Sequence, residues 1–226
     1  MSRAPVIAVD GPSGAGKGMV ARALVKRLGW HLLDSGALYR VLALAADARG
    51  IVLEDSAAVA ALAPRLQIRF VEDPQGQECI LLDGVDVTRA VRSETTGGLA
   101  SRIAAAPAVR EALFERQRAF LQPPGLVADG RDMGTVVFPD AVLKIFLDAS
   151  PEERARRRQS QLRESGVDAT LDSLFAEIRA RDARDRGRAV APLVPAADAV
   201  QMDTTRLTPP QVLAQLDALL ISRGLL

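Results

Sequence analysis

The residues best suited to do chemistry stand near the start of the chain, in "DGPSGAGKGM" (10–19). Gly11, Gly16 and Lys17 are the fixed points of GxxxxGK, a loop whose backbone N–H groups face a phosphate while its lysine reaches the outer phosphates. Pro12, Ser13, Gly14 and Ala15 fill the loop. Gly18 and Met19 follow the lysine, where the general pattern has Ser or Thr. A plain glycine-rich turn is the alternative to a triphosphate site; a strand before the loop and a helix after it favour the site.

Three further stretches carry charge at places that can meet a ligand. "LVADGRD" (126–132) ends an apolar run with Asp129, Arg131 and Asp132, and open parallel sheets bind ligands beyond the carboxyl ends of their strands. There Asp129 could hold magnesium-bound water and Arg131 an acceptor phosphate, or the group could be a loop salt bridge. "LLDSGALYR" (32–40) offers Asp34, Ser35 and Arg40 for a second anion or a sugar, with Asp34 or Ser35 as a helix cap the alternative. In "RARDARDRGR" (179–188), Arg181, Asp185 and Arg188 fall at i, i+4 and i+7, on one helical face. Spacing alone reads as a solvated salt-bridge face. Together with Arg154, Arg156, Arg157 and Arg158, the same residues could instead form a lid that excludes water and neutralises a transferring group.

Elements must hold these residues in place. "VIAVD" (6–10) reads as a strand, and "MVARALVKRLG" (19–29) as a helix stopped by Gly29. The order recurs in "HLLDSG" with "ALYRVLALAADARG", in "LVADG", and in "LKIFLDAS" with "PEERARRRQSQLRE", and it closes with "AVQMD" and a helix opened by "TPPQ". Strands alternating with helices predict an α/β fold with a parallel sheet flanked by helices. A capping box of Ser150 and Glu153 around Pro151 is expected to start the arginine-rich helix. Residues 66–92 break the rhythm with β-type runs across "EDPQGQ" and a turn at "DG", an antiparallel meander. The expected organisation is one domain, 1–226, with an acceptor-side insert at 62–98 and a lid at 151–188, where ten arginines and eight acids form two helices joined by "SGVDAT".

Composition narrows the partners. The chain has 226 residues, 48% hydrophobic and 25% charged, which supports a buried core and disfavours disorder. A net charge of +1 leaves no global field for nucleic acid or an anionic membrane, and 4% aromatic residues leave few rings on which bases could stack, so neither partner is expected. Cys79 and His31 are the only residues of their kinds, which excludes an internal disulfide and a zinc cluster. The first apolar run, "VIAV", is too short for a signal peptide's core, so a cytoplasmic location is expected.

These residues suit phosphoryl transfer to a small acceptor, and the chain resembles the bacterial-type cytidylate kinases among the nucleoside monophosphate kinases. "DGPSGAGKG", "WHLLDSGALYRVLALAA", "PGLVADGRDMGTVVFPDA", "KIFLDAS" and "RDARDRGRAVAPLVPAADA" carry the resemblance, in order from residue 10 to residue 199. It implies a P-loop kinase fold and transfer from ATP to CMP or dCMP, with Mg²⁺ held mainly through phosphates and water and no metal ligands from the protein. It further implies a monomer. Lys17, Arg131, Asp132 and Arg188 would be catalytic. The loop 11–19 and Arg157 would bind ATP. Arg40, Arg131 and Arg188 would hold the acceptor phosphate with Asp34 and Ser35 nearby, Ser101, Arg110 and Asp132 would face cytosine, and Arg181 and Asp185 would read the sugar. Gly18 agrees with the family pattern. Met19 departs from its usual Thr, which removes a hydroxyl near phosphate or magnesium-bound water. The rival readings are a kinase for another small acceptor and a non-catalytic nucleotide-binding switch.

Overall fold

The computed structural model describes residues 4–72, 78–164 and 166–226. Its strands are β1 (Val6–Asp10), β2 (His31–Asp34), β3 (Ile68–Glu72), β4 (Glu78–Leu82), β5 (Val85–Asp86), β6 (Leu126–Gly130), β7 (Leu143–Asp148) and β8 (Val200–Asp203). Its helices are α1 (Lys17–Leu28), α2 (Ser35–Ala48), α3 (Ser56–Leu62), α4 (Thr88–Val91), α5 (Glu94–Ile103), α6 (Pro107–Arg118), α7 (Pro151–Glu164), α8 (Leu171–Arg186) and α9 (Pro209–Ser222). They fall into two compact units, residues 1–33 with 119–226, and residues 34–118.

The first unit is built on a five-stranded sheet in the order β2-β6-β1-β7-β8, with β1 parallel to both β6 and β7, and β7 parallel to β8. Every residue of β1 is buried, as a strand covered on both faces requires, which is why "VIAV" is apolar without alternation. The register pairs Asp10 with Gly130, so the phosphate loop and the turn after β6 leave the sheet level with each other. Ile7, Val9, Leu24, Val127, Ile145, Leu147, Leu216 and Leu220 form the core that packs α1 and α9 on the sheet. Each such side chain contributes about 1.5–3 kcal/mol by leaving water. Helix α1 stops where Gly29, left-handed at φ 66, donates its N–H to the Val25 carbonyl.

The expected capping box at α7 forms only in part. Ser150 Oγ accepts from the Glu153 N–H at 3.2 Å, but the Ser150 N–H is taken by Thr205 Oγ1 at 2.9 Å. Glu153 turns instead to Arg156 and Arg157, because a hydroxyl from the loop after β8 satisfies the N-terminal donor first.

The second unit holds the antiparallel sheet β3-β4-β5, inside the expected 62–98 insert, and helices α2 to α6. The turn at Asp83 and Gly84 has positive φ at both residues, 50 and 86, as a two-residue hairpin loop demands. The other turn of the meander, "EDPQGQ", lies outside the described residues apart from the end of β3. "TRAV", expected as part of the meander, forms α4 instead, started by the Asp86 carboxylate accepting from the Thr88 N–H at 2.8 Å. Val41, Leu42 and Ala45 of α2 pack with Leu62, Ile80, Ile103 and Leu113 into this unit's own core. Among the described residues no helix is long and apolar enough to cross a membrane.

Candidate active site

The phosphate loop is shaped by what surrounds it. Gly11 has φ 146, and a Cβ there would lie 2.0 Å from the Leu147 carbonyl oxygen, so no other residue fits against β7. Gly14, at φ 80, faces the Arg154 side chain, whose Cβ would be 3.1 Å from a methyl group on it. Three loop carbonyls are held by side chains: Pro12 by the loop's own Lys17 Nζ at 2.9 Å, Ser13 by Arg154 Nη1 at 3.1 Å, and Ala15 by Thr204 Oγ1 at 3.2 Å. In a trans peptide the C=O and the following N–H point opposite ways, so each hold turns an N–H toward the loop's other side. Lys17 is 7% exposed at the start of α1, placed where the helix N-terminus favours an anion. Met19 is partly buried and packs on the first unit's core.

Beyond β6 the chain turns sharply, and Asp10 fixes that turn. Its carboxylate accepts the Met133 and Gly134 N–H groups, each at 2.8 Å. Burial pushes the Asp10 carboxyl up to about 7; the two N–H groups oppose that rise, and the charges of Asp132 and Asp129 add to it. The turn presents Arg131 and the buried Asp132.

Arg131 and Arg188 converge on Asp185. Arg131 Nε donates to Asp185 Oδ2 at 3.1 Å and Arg188 Nη2 to Asp185 Oδ1. Burial alone would raise the Asp185 carboxyl, yet the charges of Arg131, Arg188 and Arg181 prevail and hold it below the ordinary carboxylate range. Arg181 Nη1 reaches Ser13 Oγ at 3.4 Å, which brings this helix to the phosphate loop. The single helical face read from the sequence holds for Arg181 and Asp185 only. Helix α8 ends at Arg186, capped by Gly187, so Arg188 lies beyond it and folds back on Asp185.

The second unit carries five further sequence candidates. Asp34 caps α2, accepting from the Ala37 N–H at 2.9 Å. Ser35 is buried and donates to Gln117 Oε1 at 2.8 Å. Arg40 Nη1 donates to the carbonyls of Val91 and Ser93 at 2.8 and 2.9 Å, and its guanidinium lies against Gly97 of α5. Ser101 follows one turn later on α5 and is buried. Arg110, also buried, lies 5.9 Å from the Tyr39 ring centroid and donates to the Ala104 carbonyl at 3.4 Å.

The arginines of α7 are not equivalent in their surroundings. Arg154 is 1% exposed, clamps Asp182 with both terminal nitrogens and donates Nε to the Ala149 carbonyl, so it faces inward. Arg157 bonds Glu153 at 3.0 Å and Thr204 Oγ1 at 3.0 Å. Arg156 is exposed, paired with Glu153 at 3.3 Å.

Asp10, Asp182 and Thr204 were missed by sequence reasoning. Asp10 directly precedes the loop, a position that could have drawn notice; Asp182 and Thr204 act through partners 28 and 189 residues away, which spacing does not reveal.

Comparison with known proteins agrees with this layout. The sequence profile of the family described as cytidylate kinase matches residues 7–220. A protein from Edwardsiella ictaluri named cytidylate kinase is 60% identical, over 93% of each chain. Another of that name from Azotobacter vinelandii is 59% identical over 99% of this chain and 98% of its own, and one from Pseudomonas entomophila is 57% identical over 100% and 99%. A phosphate loop on a parallel sheet, arginines gathered beyond the strand ends and a match over nearly the whole length place this chain in the cytidylate kinase family.

Proposed function

We propose that this chain transfers the terminal phosphoryl group of ATP to CMP, and to dCMP, giving CDP or dCDP and ADP. The observation that carries the reading is Asp185 holding Arg131 and Arg188 together on the same sheet scaffold as the phosphate loop, with Arg181 linking the two. A nucleotide-binding switch has no use for a second cluster of arginines.

The loop 11–19 and Lys17 bind the phosphates of ATP, and Arg157, freed from Glu153 and Thr204, assists. Arg131 and Arg188 grip the acceptor phosphate bidentately, a task suited to a planar guanidinium. Arg181 and Asp185 read the sugar. Asp132 faces the base, where a carboxylate accepting from cytosine's exocyclic amine rejects uracil, whose oxygen there is another acceptor. Asp34 shapes the start of α2 and Ser35 secures it to Gln117, supporting Arg40 one turn on.

No protein base is needed, because the attacking oxygen belongs to a phosphate monoester with a second pKa near 6, mostly ionised at neutral pH. Catalysis then rests on alignment and charge compensation by Lys17, Arg131 and Arg188. Among the described residues no group of three or more acidic, histidine or cysteine side chains could hold a metal ion. Mg²⁺ carried on the nucleotide phosphates and water would supply charge neutralisation there. The enzyme is proposed to act as a cytoplasmic monomer without nucleic acid. An acceptor panel of CMP, dCMP, UMP, AMP and small sugar acids tests the reading: turnover with CMP and dCMP well above the rest supports it, and turnover only with a non-nucleotide acceptor refutes it.

A further inference from the structure

We propose that Arg154 is a positioning residue for the phosphate loop and that Asp182 keeps it in that role. Arginines near a triphosphate are expected to touch it, but this one has its donors committed within the protein. Nε donates to the Ala149 carbonyl at 2.9 Å, Nη1 to the Ser13 carbonyl at 3.1 Å and to Asp182 Oδ1 at 3.0 Å, and Nη2 to Asp182 Oδ2. At 1% exposure it cannot swing to a ligand without leaving a carboxylate buried and uncompensated.

Its hold on the Ser13 carbonyl fixes the plane of the Ser13–Gly14 peptide. The Gly14 N–H, which lies in that plane and points opposite to the Ser13 C=O, is thereby aimed away from Arg154. The stem of Arg154 also lies against Gly14, which blocks the peptide from rotating toward it. Lys17, which holds the neighbouring Pro12 carbonyl at 2.9 Å, is the group that must leave for the phosphate when nucleotide binds. Arg154 and Thr204 then remain to keep the loop carbonyls turned outward. Asp182 adds a second consequence. It lies on α8 between Arg181 and Asp185, so the shape of the phosphate loop is tied to the helix that carries those residues. The pair is bidentate, which fixes the guanidinium plane and so the direction of the Ser13 bond.

The proposal rests on the reading of residues 11–19 as a nucleotide site but not on the identity of the acceptor. Binding of ADP, without any acceptor, is measured by titration calorimetry on the full chain, the Arg154→Lys and Asp182→Asn variants, and Arg102→Ala, an exposed arginine paired with Glu54, as a surface control. Melting temperatures are recorded in parallel. The expected result is ADP affinity weakened about tenfold in each of the first two, the scale set by one charge-assisted hydrogen bond, with the control unchanged. Because the two residues act as a pair, the double variant loses little more than the worse single one. Asp182→Asn keeps the side-chain shape and decides alone should Arg154→Lys fail to fold. A folded Asp182→Asn protein with lowered melting temperature and unchanged ADP affinity reduces the pair to a structural tie and overturns the proposal. A wild-type chain that fails to bind ADP removes the nucleotide reading, and this proposal with it.

Discussion

Asp185 accepts from Arg131 Nε at 3.1 Å and at the same time from Arg188, so one buried carboxylate sets the spacing of two guanidinium groups contributed by separate segments. Asp185→Asn keeps the shape and removes the charge. A loss of roughly 10- to 100-fold in kcat/KM for CMP is expected, the scale of one charge-assisted hydrogen bond that orders both arginines. Because the folded carboxyl lies below its ordinary 3.8, its contribution to stability is present above that value and is lost as pH falls through the lowered one. The melting-temperature gap between wild type and variant should therefore close below about pH 4. A gap that stays constant from pH 3 to pH 7 contradicts the pairing.

Asp10 titrates in the opposite sense. Its folded value of about 7 stands above the ordinary 3.8, so between the two the folded chain keeps a proton that the unfolded chain has released. Stability from this group is complete below about 4 and declines as pH rises toward about 7. In Asp10→Asn that decline is absent, so the variant gains on wild type with rising pH across this window, measured as melting temperature at pH 5 and pH 8. Equal differences at both values rule out titration of this carboxyl. The same variant loses one acceptor for the turn 133–134 and should raise KM for CMP.

Asp132 is buried beside the turn that Asp10 holds. Asp132→Ala should lower turnover of CMP far more than that of UMP and so compress their kcat/KM ratio at least tenfold, since a site built around a polar contact rejects the wrong partner by leaving groups unpaired. An unchanged ratio removes Asp132 from base recognition.

Met19 packs on the first unit's core, so its thioether serves α1 packing. Met19→Thr should cost about 1 kcal/mol of stability, a fall of a few degrees in melting temperature for a chain of this size. KM for ATP should stay within about twofold, because Lys17 and the held loop carbonyls do not depend on this side chain. A tenfold change in KM or in magnesium dependence means that the hydroxyl lost here matters to the phosphates.

What could be read from the sequence was local or continuous. The phosphate loop is one continuous stretch, 11–19, whose glycines act through backbone geometry and whose lysine follows them directly, so their spacing carries the function almost whole. β1 and β6 are buried on both faces and read as unbroken apolar runs ended by turn residues, and in β7 only Lys144 interrupts such a run. The distinction between Arg154, buried against Asp182, and Arg156, exposed two positions later, was not readable, because it depends on which face α7 turns to α8. Arg188 was placed on a helix that Gly187 ends, since a pattern of charges does not mark where backbone bonding stops. The division into two compact units left no trace either, as neither boundary has a linker composition.

The central claim is that the phosphate loop and the paired arginines serve one transfer to cytidine monophosphate. ADP formation from ATP and Mg²⁺, followed with and without CMP for wild type and for Lys17→Met, tests it most directly. CMP-dependent ADP formation in wild type, reduced at least a hundredfold in Lys17→Met, is the result this account predicts. ADP formation that CMP does not stimulate, or that survives the loss of Lys17, would contradict it.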